Sequence, residues 1–127
     1  MYADEVVPHQ LTERIIGCAF TVANTLGVGF LEKVYENALA LESRSIALSV
    51  EQQRGIDVKY KGALIGQYVV DLLMEESVEV ELKATRTVDS SQFAQCRNYL
   101  KATGLRLCLL INFGGPWVEI KRIVSDL

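Results

Sequence analysis

The spacing of apolar residues changes twice along this chain. From Leu11 to Arg44 they recur every three to four positions, from Val50 to Ala84 they alternate, and from Ser90 the helical spacing returns. No all-helical or all-β chain reads this way. In the first segment Ile15, Ile16, Ala19, Phe20, Ala23 and Leu26 predict an amphipathic helix, with Gly27 placed to close it in a left-handed C-cap. Gly27-Val28-Gly29 breaks the chain, and a second helix from about Leu31 to Arg44 carries Val34, Ala38, Leu39 and Leu41 as its expected buried stripe. The alternating segment predicts a meander of Val50–Gln53 with Ile56–Tyr60, then Leu64–Leu73, then Val78–Ala84, with Lys61-Gly62 as one turn. A third helix is expected from an N-cap at Ser90 to Thr103, ended by Gly104. Leu107–Asn112 is a continuous apolar run suited to a strand buried on both faces, and Val118–Val124 follows the Gly114-Gly115-Pro116 turn. This order predicts an α/β sandwich with a mixed central sheet flanked by helices.

The chain's 127 residues, with no linker-like or repeated tract, lead us to expect one domain over residues 1–127. No apolar run approaches the roughly 20 residues of a membrane span, and the acidic start Met1-Tyr2-Ala3-Asp4-Glu5 differs from a signal peptide. A cytosolic protein without a membrane partner is the expectation. Cys18, Cys96 and Cys108 lie in apolar surroundings and read as reduced core residues, too scattered for a zinc motif. His9 is the only histidine, so a Ser-His-Asp triad or a Cys-His pair would lack its base. Enzymatic work would fall to carboxylates, lysine, tyrosine or a cofactor.

The net charge of −3 speaks against nucleic acid until its distribution is considered. Residues 1 to 82 hold 6 basic and 13 acidic side chains; residues 83 to 122 hold 7 basic and 2 acidic. Such a layout either hides a basic surface beside an acidic pocket or arises by chance.

In Val78–Ala84, Glu79, Glu81 and Lys83 share one strand face and Val78, Val80, Leu82 and Ala84 the other. Alone, this is equally a solvated face with a weak ion pair. Asp71 raises its interest. A three-residue loop at Glu75-Glu76-Ser77 would set Asp71 opposite Glu81, with side chains about 5 Å apart. Paired carboxylates of this kind suit Mg²⁺ or Mn²⁺, and Lys83 would border the ion, placed to orient water or neutralise charge on a phosphate. On the second helix Glu32, Tyr35 and Glu36 share a face, from which Glu32 could reach the metal; a first-turn glutamate also simply suits the helix dipole.

Asp71 and Glu81-Leu82-Lys83, with Glu32 before and Gln95 after, resemble the pattern of the PD-(D/E)XK nuclease superfamily. Within it the chain resembles the GxxExxY family through Gly29-Phe30-Leu31-Glu32-Lys33-Val34-Tyr35, Tyr60-Lys61-Gly62, Asn98-Tyr99-Leu100-Lys101-Ala102-Thr103-Gly104 and Leu109-Leu110-Ile111-Asn112-Phe113-Gly114. The resemblance implies a restriction-endonuclease-like α-β-β-β-α-β core with an extra N-terminal helix. It implies Asp71 and Glu81 as metal ligands, Glu32 as a further ligand or water-positioning residue, Lys83 as the catalytic lysine and Gln95 as an orienting residue. Tyr35, Arg86, Gln92, Arg97 and Lys101 are the candidate substrate contacts. The chain departs from the family pattern at Ala23 and Gln92, where histidine often stands; glutamine cannot act as an acid or base near neutral pH.

Two functions follow as expectations. One is a Mg²⁺- or Mn²⁺-dependent nuclease, with DNA favoured over RNA. The other is a catalytically inactive module of the same fold that binds nucleic acid or a protein. A homodimer through the apolar end Phe113-Gly114-Gly115-Pro116-Trp117 is a further expectation, and Tyr68 and Tyr99 are expected in the core.

Overall fold

A computed structural model describes residues 9–125. Its elements are α1 (His9–Leu26), α2 (Glu32–Ser45), β1 (Val50–Tyr60), β2 (Ala63–Met74), β3 (Val78–Lys83), α3 (Ser90–Thr103), β4 (Leu107–Asn112) and β5 (Glu119–Val124). The five strands form one sheet in sequence order. Its single parallel pair, β3 with β4, is the one bridged by a helix; a tight turn suffices for antiparallel neighbours, whereas parallel ones need a crossover. The mixed sheet and the element order are those the sequence predicts, and the fold is restriction-endonuclease-like.

Helices α1 and α2 cover one face of the sheet. Ile15, Ala19 and Val22 of α1 and Tyr35 and Leu39 of α2 pack on Leu72, Met74, Val80, Leu82, Leu109 and Ile111. On the other face α3 packs Cys96 and Leu100 against Cys108, Leu110 and Ile123. β4 is therefore buried along its whole length. All three cysteines are buried and unbridged.

The helical faces are rotated from expectation. α1 buries Leu11, Thr12, Cys18 and Val22 while Phe20 is exposed. α2 buries Tyr35, Glu36, Ala40 and Ser43, and leaves Leu41 exposed. Pinning explains the second rotation. The Tyr35 hydroxyl donates to Gly27 O (2.5 Å) and accepts from Phe30 N, and its ring stacks on Phe113 at 4.7 Å. Phe113 is thereby core, so of the expected dimer surface Pro116 and Trp117 are exposed while its one phenylalanine is not available.

α3 also starts differently. Asp89, not Ser90, is its N-cap: the Asp89 carboxylate accepts from Ser91 N, and Gln92 returns its side chain to Asp89 N in a capping box. Gly104 closes the helix in the left-handed region, as expected.

A break in β1 and β2 has the largest consequence for the site. Side chains two apart on a strand share a face, yet Leu72 and Met74 lie in the α1/α2 core while Val70 packs with Ile56 against Tyr99 of α3. β1 changes sides at the same level. Gln52 bonds Glu36 and Asn37 of α2, whereas Ile56 faces α3. Between them Gln53 sits at φ 55°, and the β1–β2 pairing passes from Gln52↔Leu72 to Arg54↔Val70. Beyond this level the hairpin lies over α3.

Candidate active site

Asp71 and Glu81 meet where the β2–β3 ladder stops. Met74↔Val78 leaves the three-residue loop Glu75-Glu76-Ser77, and the register runs through Leu73↔Glu79 to Leu72↔Val80. The next step would pair Asp71 with Glu81, as the sequence predicts, but side chains take over from the backbone there. Glu81 Oε2 accepts from Asp71 N (2.9 Å), and Asp71 Oδ2 accepts from Leu82 N (2.8 Å). Each carboxylate thus stands in for a ladder carbonyl of its own strand, which fixes both side chains against rigid sheet.

Burial sets their electrostatics. Desolvation, reinforced by the Asp71 charge, pushes the Glu81 carboxyl up to about 9. Asp71 is raised by desolvation and by Glu36, against the opposing hydrogen bonds from Leu82 N and Gln53 and the charge of Lys83. Glu32, at the first turn of α2, is raised by desolvation, Asp71 and Glu36, with Lys83 opposing. Lys83 therefore acts on all three carboxylates through space.

Among the described residues no three His, Cys, Asp or Glu side chains come close enough to hold a metal ion. The expected trio of Asp71, Glu81 and Glu32 is therefore not assembled as a cage. Asp71 and Glu81 alone present paired carboxyl oxygens from adjacent strands. Two desolvated, mutually repelling carboxylates fit a hard divalent cation, which would relieve both penalties.

Two residues absent from the expected site stand beside it. Glu36 is 3% exposed and accepts from Gln53 Nε2 (2.8 Å), Gln52 Nε2 (2.9 Å) and Lys33 Nζ (3.1 Å). The same Gln53 amide reaches Asp71 Oδ1 at a long 3.4 Å. Gln53 thus links α2 to the Asp71 carboxylate from the break in β1. Glu36 was visible in the sequence as a face-mate of Glu32; nothing about a glutamine signals a left-handed backbone.

Lys83 opens into a cleft of about 570 Å³ shared with Gln92, Gln95, Tyr68 and Tyr99. Gln95 Nε2 donates to the Tyr99 hydroxyl (2.8 Å). Tyr99 is buried as expected, and desolvation with the Glu81 charge raises its hydroxyl to about 12, so it stays protonated. Tyr68 departs from expectation: it is 46% exposed, its ring 5.4 Å from that of Tyr99.

The candidate substrate contacts separate. Tyr35 is 1% exposed and engaged with Gly27 and Phe113, so it cannot touch a substrate. Gln92 lines the cleft while capping α3. Arg86 is exposed in the connection from β3 to α3. Arg97 lines a different cleft, between α3 and the end of β5, and Lys101 borders both flanks of the helix. Ala23, where the family pattern often has histidine, is packed against the α1/α2 core.

The connection after Lys83 is clamped to β4. Asn112, 1% exposed, accepts through Oδ1 from Thr85 N and Gly114 N (both 3.0 Å) and donates through Nδ2 to Thr85 O (2.9 Å). The backbones pass so closely that a Cβ on Gly114 would lie 2.1 Å from Thr85 O. Only glycine fits there.

Residues 9–123 match the family described as the PD-(D/E)XK nuclease superfamily. The chain belongs to that superfamily. No curated protein matches it. Among solved structures it is similar to SSO0001, with a TM-score of 0.58 and 14% identity over 93% of this chain and 59% of that one. It is also similar to an alkaline exonuclease, LHK-Exo, from Laribacter hongkongensis, with a TM-score of 0.50 and 14% identity over 91% of this chain and 82% of that one. The chain thus spans less than two thirds of SSO0001, and both likenesses concern the fold. Superfamily members generally use divalent metals, which agrees with the donor chemistry of Asp71 and Glu81.

Proposed function

We propose that this superfamily member is a Mg²⁺- or Mn²⁺-dependent nuclease that hydrolyses phosphodiester bonds in DNA. The observation that carries this reading is the exchange of Asp71 and Glu81 across the interrupted ladder, with Lys83 one step along the same strand face. Asp71 and Glu81 would hold the ion, and Glu32, which feels the charges of Asp71 and Lys83, would position water beside it. A divalent cation in such a site supplies Lewis-acid stabilisation of phosphate charge and acidifies water. Lys83 holds a positive charge at the mouth of the cleft, where it binds the phosphate and offsets charge that builds on its oxygens. Gln95, tied to Tyr99, orients the cleft wall, and the locally basic segment after residue 82 offsets the acidity of the rest. Membership of the GxxExxY family rests on the Gly29–Tyr35 motif.

The competing reading is an inactive nucleic-acid or protein-binding module. It is favoured by the backbone hydrogen bonds that already occupy both carboxylates and by Ala23 and Gln92 in place of histidine. A cleavage assay on single-stranded, duplex and branched DNA decides between them. Turnover with Mg²⁺ or Mn²⁺ that falls at least 100-fold in Lys83→Ala and Glu81→Gln supports the nuclease. DNA binding that survives EDTA and Glu81→Gln, with no turnover in either metal, supports the module. Sedimentation of the same preparation tests the dimer: a monomer at tens of micromolar removes a role for Trp117 in self-association.

A further inference from the structure

The cleft at Lys83 does not end at Gln95. It shares Tyr68 and Asn98 with a second cleft of about 610 Å³, bordered by Lys59 and Val58 of β1 and by Lys101 of α3. The two make one groove between α3 and the far half of the β1–β2 hairpin, and it exists because the break at Gln53 and Asp71 carries that half over α3. Gln92, Gln95, Asn98 and Lys101 line it in a row of three-residue steps that winds about half-way round α3 and rises about 13 Å along the helix axis, the rise of about four stacked nucleotides.

The lining has the chemistry of an unpaired nucleic-acid strand. Lys83 stands at one end and Lys59 and Lys101 at the other, with the amides of Gln92, Gln95 and Asn98 between. Asp57 also lines the groove, but its Oδ1 is engaged by Gln67 Nε2 (2.9 Å). At the junction of the two clefts Tyr68 is 46% exposed and braced against buried Tyr99, an aromatic surface held in place with one side open. Base stacking needs such a platform and tolerates any sequence. Clefts of this volume take a nucleotide-sized group, whereas the paired bases of a duplex stay stacked inside it and cannot reach a side chain on the groove wall.

We propose that this groove binds an unpaired DNA strand, with a base stacked on Tyr68 and phosphates at Lys59 and Lys101, and leads it to Lys83. This rests on the nuclease reading for the direction of the strand, but not for its binding.

The test is binding of a fluorescein-labelled single-stranded oligonucleotide and of the matching blunt duplex in EDTA, where no metal-dependent chemistry occurs. The unpaired strand should bind at least tenfold more tightly than the duplex. Tyr68→Ala should weaken it roughly 5- to 100-fold, and Tyr68→Phe should restore it, since stacking needs the ring and not the hydroxyl. Lys59→Ala with Lys101→Ala should lower the slope of log affinity against log salt by about 1.4. Melting temperatures of the variants guard against unfolding, and the salt slope of the double lysine variant keeps the test valid if Tyr68→Ala is unstable. Equal affinity for the duplex, wild-type affinity in Tyr68→Ala and the double lysine variant, or no binding of the single strand overturns the proposal. Binding as described without cleavage in any metal overturns the nuclease reading and leaves the groove standing. Cleavage with unaltered Tyr68→Ala binding does the reverse.

Discussion

The two faces of β3 use burial in opposite ways. Val78, Val80 and Leu82 are fully buried among the aliphatic side chains of α1, α2 and β4, where the removal of apolar surface from water stabilises the fold. Glu79 and Glu81, one residue away on the same strand, are 0% and 4% exposed, and burial works against them. Glu79 accepts from the Thr103 hydroxyl (2.6 Å) while its Oε1 has no partner among the described residues; Glu81 has the Asp71 amide. One face holds the sheet together, and the other tolerates a cost the first can carry. Function in a sheet belongs where the chain retains groups that stability alone would replace.

Substitutions one residue apart on β3 should therefore have opposite effects on stability. Leu82→Ala should cost about 3 kcal/mol, or on the order of 10 °C in melting temperature, through the cavity it leaves beneath α1 and α2. Glu81→Gln should keep the metal-free protein at least as stable as wild type at pH 8, because it removes a carboxylate that burial disfavours, while abolishing divalent-metal binding. Thermal melts of both in EDTA check this. Loss of several degrees in Glu81→Gln would mean that the carboxylate is structural.

A pH series sharpens it. The Glu81 carboxyl is raised from 4.5 to about 9, so the folded state binds its proton more tightly than the unfolded chain does. Its contribution is fully present below about pH 4.5 and is lost as pH rises towards 9. Asp71, Glu32 and Glu79 are raised too and act in the same sense. The metal-free protein should therefore melt progressively lower from pH 5 to pH 9, and less steeply in Glu81→Gln. Since a cation competes with the proton, its affinity should rise over the same range. A melting temperature independent of pH would contradict the electrostatics assigned to the pair.

A smaller effect is expected at Gln53. A left-handed backbone suits glycine, so Gln53→Gly should alter stability by no more than about 1 kcal/mol, because relief of strain offsets the added flexibility of the unfolded chain. Divalent-metal affinity should nevertheless fall roughly tenfold, in line with other outer-shell residues, because the amide that joins Glu36 to Asp71 is gone. Unchanged affinity would reduce Gln53 to a backbone role.

The parts of this account that were legible in the sequence are those set by counting. The change of apolar period gave the elements, and three loop residues gave the Asp71–Glu81 pairing because antiparallel register follows from loop length. What escaped depended on contacts between distant elements. The Tyr35 pin turned α2 so that Glu36 went inward and Leu41 outward, although apolar spacing alone favoured the reverse. Tyr68, a strand aromatic, is expected in the core, but it lies in the half of the hairpin beyond the left-handed Gln53, which reaches over α3 and leaves it half exposed. The N-cap moved one residue because Asp89 and Gln92 complete a reciprocal box that Ser90 could not.

Asp71 and Glu81 are proposed to form one cation site. Calorimetric titration of Mn²⁺ into the metal-free protein, compared with Asp71→Asn and Glu81→Gln, tests it without any knowledge of substrate. The wild type should bind saturably, and binding should be abolished in both variants although each still melts cooperatively. Wild-type binding in either variant, or no binding by the wild type between pH 7 and 9, would contradict it.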